Sequence, residues 1–185
     1  KTIFLNLQSL YKLHPQDDHI YIDILKEHPN SYFCFVQGET NSITSIFKQR
    51  IKKLLNKENI PFNEYFYFHP RCSLDEFLGL IQESEIILDS VNWSGCNTSL
   101  DALSLNKPIV TYPSNFMRGR HTYAFLKKLN IKETIAKSKK EYVQIAIKLA
   151  NNKSFRDSII NKIIKNKSKL FNDEKPIRFL EDFFN

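Results

Sequence analysis

Glycine is scarce, with four in 185 residues, and no two fall into a Gly-x-Gly-x-x-Gly array, so the dinucleotide fingerprint is absent. A P-loop lysine motif and a Gly-x-Ser-x-Gly nucleophile elbow are missing as well. Three cysteines, Cys34, Cys72 and Cys96, stand far apart in no metal-ligand spacing, and the histidines form no cluster. No metal and no cofactor are therefore expected. Cysteines so scattered read as free thiols, Cys34 as a buried one, which points to a reducing compartment and a cytoplasmic location. No segment approaches the roughly 18 uninterrupted apolar residues of a membrane span. A membrane is not an expected partner.

The length suits one domain with a proper core and is short for two. The chain starts at Lys1, not Met, and runs straight into a strand-like Thr2-Ile3-Phe4-Leu5, as a piece of a longer protein would. Its net charge of +7 admits a polyanionic partner. The lysines, however, are spread over many segments, and the densest stretch, residues 137–169, reads as the solvated face of surface helices. Nucleic acid is not expected.

Apolar runs alternate with helical periodicities along the whole chain. Strands are predicted at residues 2–7, 32–36, 64–68, 86–88 and 108–111, with a short sixth at 134–136. Between them, helical spacing marks residues 16–28 and 41–57, a helix opened by the capping box Ser73-Leu74-Asp75-Glu76, and a short helix over 98–105. Leu74, Phe77, Leu78 and Ile81 would be the buried face of the third of these. Four more helices follow: one after Arg120, one behind a second capping box at Ser138 and Glu141, one over 154–166, and a last over 176–184 that would bury Ile177, Leu180 and Phe183 or Phe184. This alternation predicts a doubly wound, mostly parallel, Rossmann-like α/β sheet with helices on both faces. Ligands of such sheets lie beyond the carboxyl ends of the strands.

Three positively biased features converge on that edge. Lys12 follows the first strand, Gly95-Cys96-Asn97-Thr98-Ser99 starts a helix after the fourth, and Arg118-Gly119-Arg120-His121 follows the fifth. A helix start offers unpaired N–H groups and a positive dipole end, so this combination suits a diphosphate. Asn97 reads equally well as a helix cap. Asp101 lies one turn beyond it on the same face, where it would accept from ribose hydroxyls or simply favour the dipole.

The ordered blocks Gln8-Ser9-Leu10-Tyr11-Lys12, Ile86-Ile87-Leu88-Asp89, Gly95 to Asp101, Pro108 to Thr111, Arg118 to His121, Glu141-Tyr142-Val143 and Leu170-Phe171-Asn172 resemble the C-terminal catalytic half of the O-linked N-acetylglucosamine transferase family, its bacterial Spindly-like members above all. The resemblance spans nearly the whole chain. It implies the C-terminal, nucleotide-sugar-binding domain of a GT-B glycosyltransferase over residues 1–185, with a UDP-sugar as donor, UDP-N-acetylglucosamine first among them, and no metal. Lys12 would contact the diphosphate, with Gln8 or Ser9 near the leaving group; Cys96, Asn97 and Thr98 would hold phosphates and Asp101 the ribose. Partners implied are a protein acceptor, an N-terminal catalytic half and helical repeats of the parent chain. Two departures leave base and sugar unassigned: animal members have histidine in place of Cys96 and basic or imidazole side chains in the helix that here reads Leu74 to Leu80. Alternatives are a transferase or epimerase acting on small carbohydrates, and a binding module without turnover.

Overall fold

A computed structural model describes residues 1–184 of the chain. Five strands form one parallel sheet: β1 (Thr2–Asn6), β2 (Ser31–Val36), β3 (Phe66–His69), β4 (Ile86–Leu88) and β5 (Ile109–Val110). They lie in the order β3-β2-β1-β4-β5. Helices α1 (His19–Glu27) and α2 (Asn41–Lys57) cover one face together with α6 (Lys139–Asn151), while α3 (Leu74–Glu83) and α4 (Asn97–Ser104) pack as neighbours on the other. The doubly wound α/β fold is thus present. Its order reverses between β1 and β4, which makes the crevice beyond these two strands the topological switch point.

Phenylalanine sets the register of the first three strands. Phe4 stands opposite Phe33, and Phe33 opposite Phe66, with ring centroids 5.5 Å and 5.1 Å apart. Phe35 and Phe68 form a second rung at 5.3 Å, and Tyr21 of α1 caps both rungs edge-on. These rings are buried, each contributing roughly 1.5–3 kcal/mol. A shift by one residue would turn the whole set to the opposite face. Cys34, between the two rungs, is a buried free thiol whose pKa burial pushes up to about 11.

Several local expectations change. Residues 62–64 form a 3-10 turn, so β3 starts only at Phe66. The sixth strand reduces to a single bridge between Thr111 and Ile135. Ser73 and Glu76 form the full capping box, but Leu74 is 66% exposed and only Ile81 of that face is fully buried. At the second box Ser138 caps the Glu141 N–H, while the Glu141 carboxylate accepts from Lys137 N instead of Ser138 N.

After α4 the chain adds α5 (His121–Lys128), then α6, α7 (Lys153–Asn166), the four-residue α8 (Ser168–Phe171) and α9 (Lys175–Phe184). The last departs most from expectation. Ile177, Phe179, Leu180, Phe183 and Phe184 are 56–80% exposed, so its apolar face finds no cover within the described chain. No described helix is long and apolar enough to cross a membrane.

Candidate functional site

The exit of β1 turns straight into a 3-10 turn, Leu10–Lys12, whose first N–H contact is Lys12 N to Ser9 O at 2.9 Å. Leu10 and Leu13 anchor the turn in the core. From α2, Arg50 reaches over to the same loop, with Nε and Nη2 each 2.8 Å from the Asp18 carboxylate and Nη2 also donating to Leu13 O. This bidentate clamp fixes the segment that follows Lys12.

Across the switch point stands the start of α4. Cys96, not Asn97, is the capping residue, and its side chain makes no capping hydrogen bond. Ser99 N and Leu100 N both point to Cys96 O, so Asn97 and Thr98, the first two residues of the helix, keep N–H groups without an intrahelical acceptor. Of the two readings of Asn97, the cap is thus not realised, and the helix start is uncapped. The cause is backbone geometry, with φ −116° and ψ −88° at Cys96.

Gln8 joins the two halves. It is buried, donates Nε2 to Thr98 Oγ1 at 2.6 Å and accepts at Oε1 from Lys12 Nζ at 3.2 Å. Gly95 lies against this junction. A Cβ there would stand 2.3 Å from Ser99 Oγ and 2.9 Å from both Gln8 Nε2 and Thr98 Oγ1. Only glycine fits.

The loop of residues 90–96 is held from below by Asp89, a buried carboxylate at the end of β4. It accepts from Gly95 N at 2.7 Å, Ser94 Oγ at 2.8 Å and Thr111 Oγ1 at 2.7 Å. Burial pushes its pKa up while the three donors oppose the shift. Thr122 of α5 completes the knot, bonding Ser94 and, at 2.8 Å, Ser99. Two helix starts, of α4 and α5, are thereby locked side by side.

Ser99 is buried and its hydroxyl is engaged with Thr122. Arg120 donates to Ser114 O at 3.0 Å and lies over the Tyr123 ring. His121 opens α5 with a buried Nδ1 that has no partner. Arg118, by contrast, remains exposed with its guanidinium 5.8 Å from the Trp93 ring centroid. Lys12 Nζ approaches the same ring at 5.4 Å. Neither cation has a carboxylate partner among the described residues.

Beside the Gln8–Thr98 bridge opens a cleft of about 310 Å³, lined by Gln8, Ser9, Gln37, Arg71, Cys72 and Phe77 among others. Its volume is at the lower end for small-ligand sites. The sequence pattern did not point to Gln37, Arg71 or Trp93. Gln37 and Arg71 come in because β2 and β3 lie next to β1, a neighbourhood that strand order creates, while Trp93 stands outside the cleft lining on the loop after β4. A lone tryptophan in a polar loop was the one local signal. Asp101, half-buried one turn into α4, has no side-chain partner, and burial raises its pKa. No group of three or more His, Cys, Asp or Glu among the described residues is gathered closely enough to hold a metal ion.

The arrangement gathers free helix N–H groups, two unpaired cations and a nucleoside-sized cleft at one switch point, which is the chemistry of a nucleotide diphosphate site. The model for glycosyl transferase family 41 matches residues 1–178. The chain belongs to that family. Among curated family 41 relatives, a UDP-N-acetylglucosamine–peptide N-acetylglucosaminyltransferase of Caenorhabditis elegans is 27% identical over 147 residues, 80% of this chain and 12% of the relative. One of Giardia intestinalis is 24% identical over 173 residues, 92% of this chain and 11% of the relative. A solved O-GlcNAc transferase of Thermobaculum terrenum superposes with a TM-score of 0.85 at 21% identity, over 99% of this chain and 35% of its own. The chain thus spans about an eighth of the curated relatives and about a third of the solved one. The fold is that of one Rossmann-like half of a GT-B glycosyltransferase.

Proposed function

We propose that this chain is the nucleotide-sugar-binding half of an inverting protein O-glycosyltransferase, with UDP-N-acetylglucosamine as donor. The observation that carries the reading is the Lys12–Gln8–Thr98 relay, which fixes an unpaired ammonium beside an uncapped helix start at the switch point. The donor named by the curated relatives, a UDP-sugar, matches that chemistry.

Within this reading each residue has a task. Lys12, Arg118 and the N–H groups of Asn97 and Thr98 neutralise charge on the diphosphate, which grows as the sugar leaves. Donors fixed in advance at such a point need no reorganisation during the step, and they supply a large share of catalysis in comparable sites. Asp101 accepts from the ribose hydroxyls, and the base lies in the cleft between Gln37 and Phe77. Ser9, on the cleft rim, stands near the leaving diphosphate. No group in this set is placed to take the acceptor's proton. The base for that step and the acceptor site belong to a further part of the parent chain, so the isolated domain binds donor without turnover.

Calorimetric titration with UDP, GDP and their sugars tests the reading. Lys12→Ala and Asp101→Ala are each expected to weaken UDP binding by about 1–3 kcal/mol, the scale of a lost charged hydrogen bond. Absence of binding at millimolar ligand, or unchanged affinity in both variants, would sink it.

A further inference from the structure

Trp93 is the single tryptophan of the chain, and 44% of it is exposed beside the phosphate site. Its backbone is pinned from both sides. Asn92 before it sits at φ 68°, in the left-handed region, and Ser94 after it bonds both Asp89 and the Arg118 carbonyl. Gly119 packs so closely on this loop that a Cβ would stand 3.2 Å from the Asn92 carbonyl carbon and 2.1 Å from Ser114 Oγ. The indole thus offers a part-exposed apolar ring on a tethered loop, next to the two unpaired cations.

Lys12 Nζ and the Arg118 guanidinium both lie within about 6 Å of the ring centroid, so a diphosphate drawn to these two cations comes to rest beside the indole. Strand order decides which end of the ligand meets the ring. Apart from Thr98 of α4, the cleft is lined from the segments that follow β1, β2 and β3, whereas Trp93 and Arg118 stand on loops after β4 and β5. With the nucleoside in the cleft, the group carried by the far phosphate points toward Trp93. In a nucleotide sugar that group is a pyranose, one face of which presents C–H bonds to the electron-rich face of an indole.

We propose that Trp93 is the platform on which the hexopyranose ring of the donor stacks. The inference rests on the nucleotide-sugar reading above and adds a subsite to it.

The test titrates the protein and its Trp93→Ala and Trp93→Phe variants with UDP and with UDP-N-acetylglucosamine. Trp93→Ala is expected to weaken the sugar nucleotide about tenfold and UDP by less than about twofold, while Trp93→Phe retains most of the affinity. Because Trp93 is the sole tryptophan, its emission reports directly. UDP-N-acetylglucosamine should shield it from acrylamide, and UDP should not. An equal loss for both ligands would assign the indole to positioning Lys12 and Arg118 and overturn the platform. Unchanged affinity for both would overturn it too. If the unsubstituted chain binds neither ligand, the proposed function itself fails and takes this inference with it.

Discussion

Gln8 Nε2 donates to Thr98 Oγ1 at 2.6 Å, and this hydrogen bond closes the gap between the loop after β1 and the helix that follows β4. The same amide accepts from Lys12, so one buried side chain sets the distance between the ammonium and the helix start. Neither contact touches the surrounding core. Gln8→Ala is therefore expected to cost affinity more than stability: about 1–1.5 kcal/mol in UDP binding, close to tenfold, with melting temperature lowered by only a few degrees. Calorimetry and thermal denaturation on the same preparations separate the two. A variant that melts far lower but binds normally would show that Gln8 serves the fold and not the site.

Gly95 is the harder constraint. A methyl group there meets Ser99 Oγ at 2.3 Å, and Ser99 cannot retreat without breaking its bond to Thr122. The side chains of Gln8 and Thr98 are the other two obstacles, so relief must come from the junction that positions Lys12. Gly95→Ala should lose more than about tenfold in nucleotide affinity and about 1–3 kcal/mol in stability, the usual cost of overpacking. Chemical denaturation checks the second figure. Wild-type affinity in this variant would mean that the junction is looser than its distances imply.

These contacts also show why the sequence was readable in some places and not in others. Strands β1 and β2, helix α2 and the Ser73–Glu76 box depend on neighbours in sequence, and composition announces them. The helix start after Gly95 is equally local in type, but its capping residue is decided by the backbone at Cys96, in a loop whose Ser94 and Gly95 donate to the buried Asp89 carboxylate, a tie that residue type alone does not announce. Spacing marks Arg120 as a phosphate ligand, and it does not reveal the contacts that the fold gives the same side chain, Ser114 O and the Tyr123 ring. Helix α9 teaches a different lesson: a period of 3.6 in apolar residues says that a face is to be covered, and it does not say that the cover lies in the same chain.

The ribose contact proposed for Asp101 predicts a dependence of binding on pH. Burial raises its pKa above the ordinary carboxylate value in the free protein. The sign follows from that direction. Ionisation of a half-buried acid opposes folding, so the unliganded protein loses this contribution as pH rises through the raised pKa, whereas a ribose diol donating to the carboxylate favours the ionised form. Nucleotide affinity should therefore be full above that pKa and decline as pH falls through it, beginning at a higher pH than an exposed aspartate would give. Phosphate ionisation changes over part of the same range, so the quantity to follow is the ratio of wild-type to Asp101→Asn affinity between about pH 4 and pH 7. The ratio is expected to be largest at neutral pH and to shrink on acidification, as the wild-type acid becomes the neutral group that asparagine mimics. A ratio that stays flat across the range would remove Asp101 from the ribose contact and leave it as a dipole partner of α4.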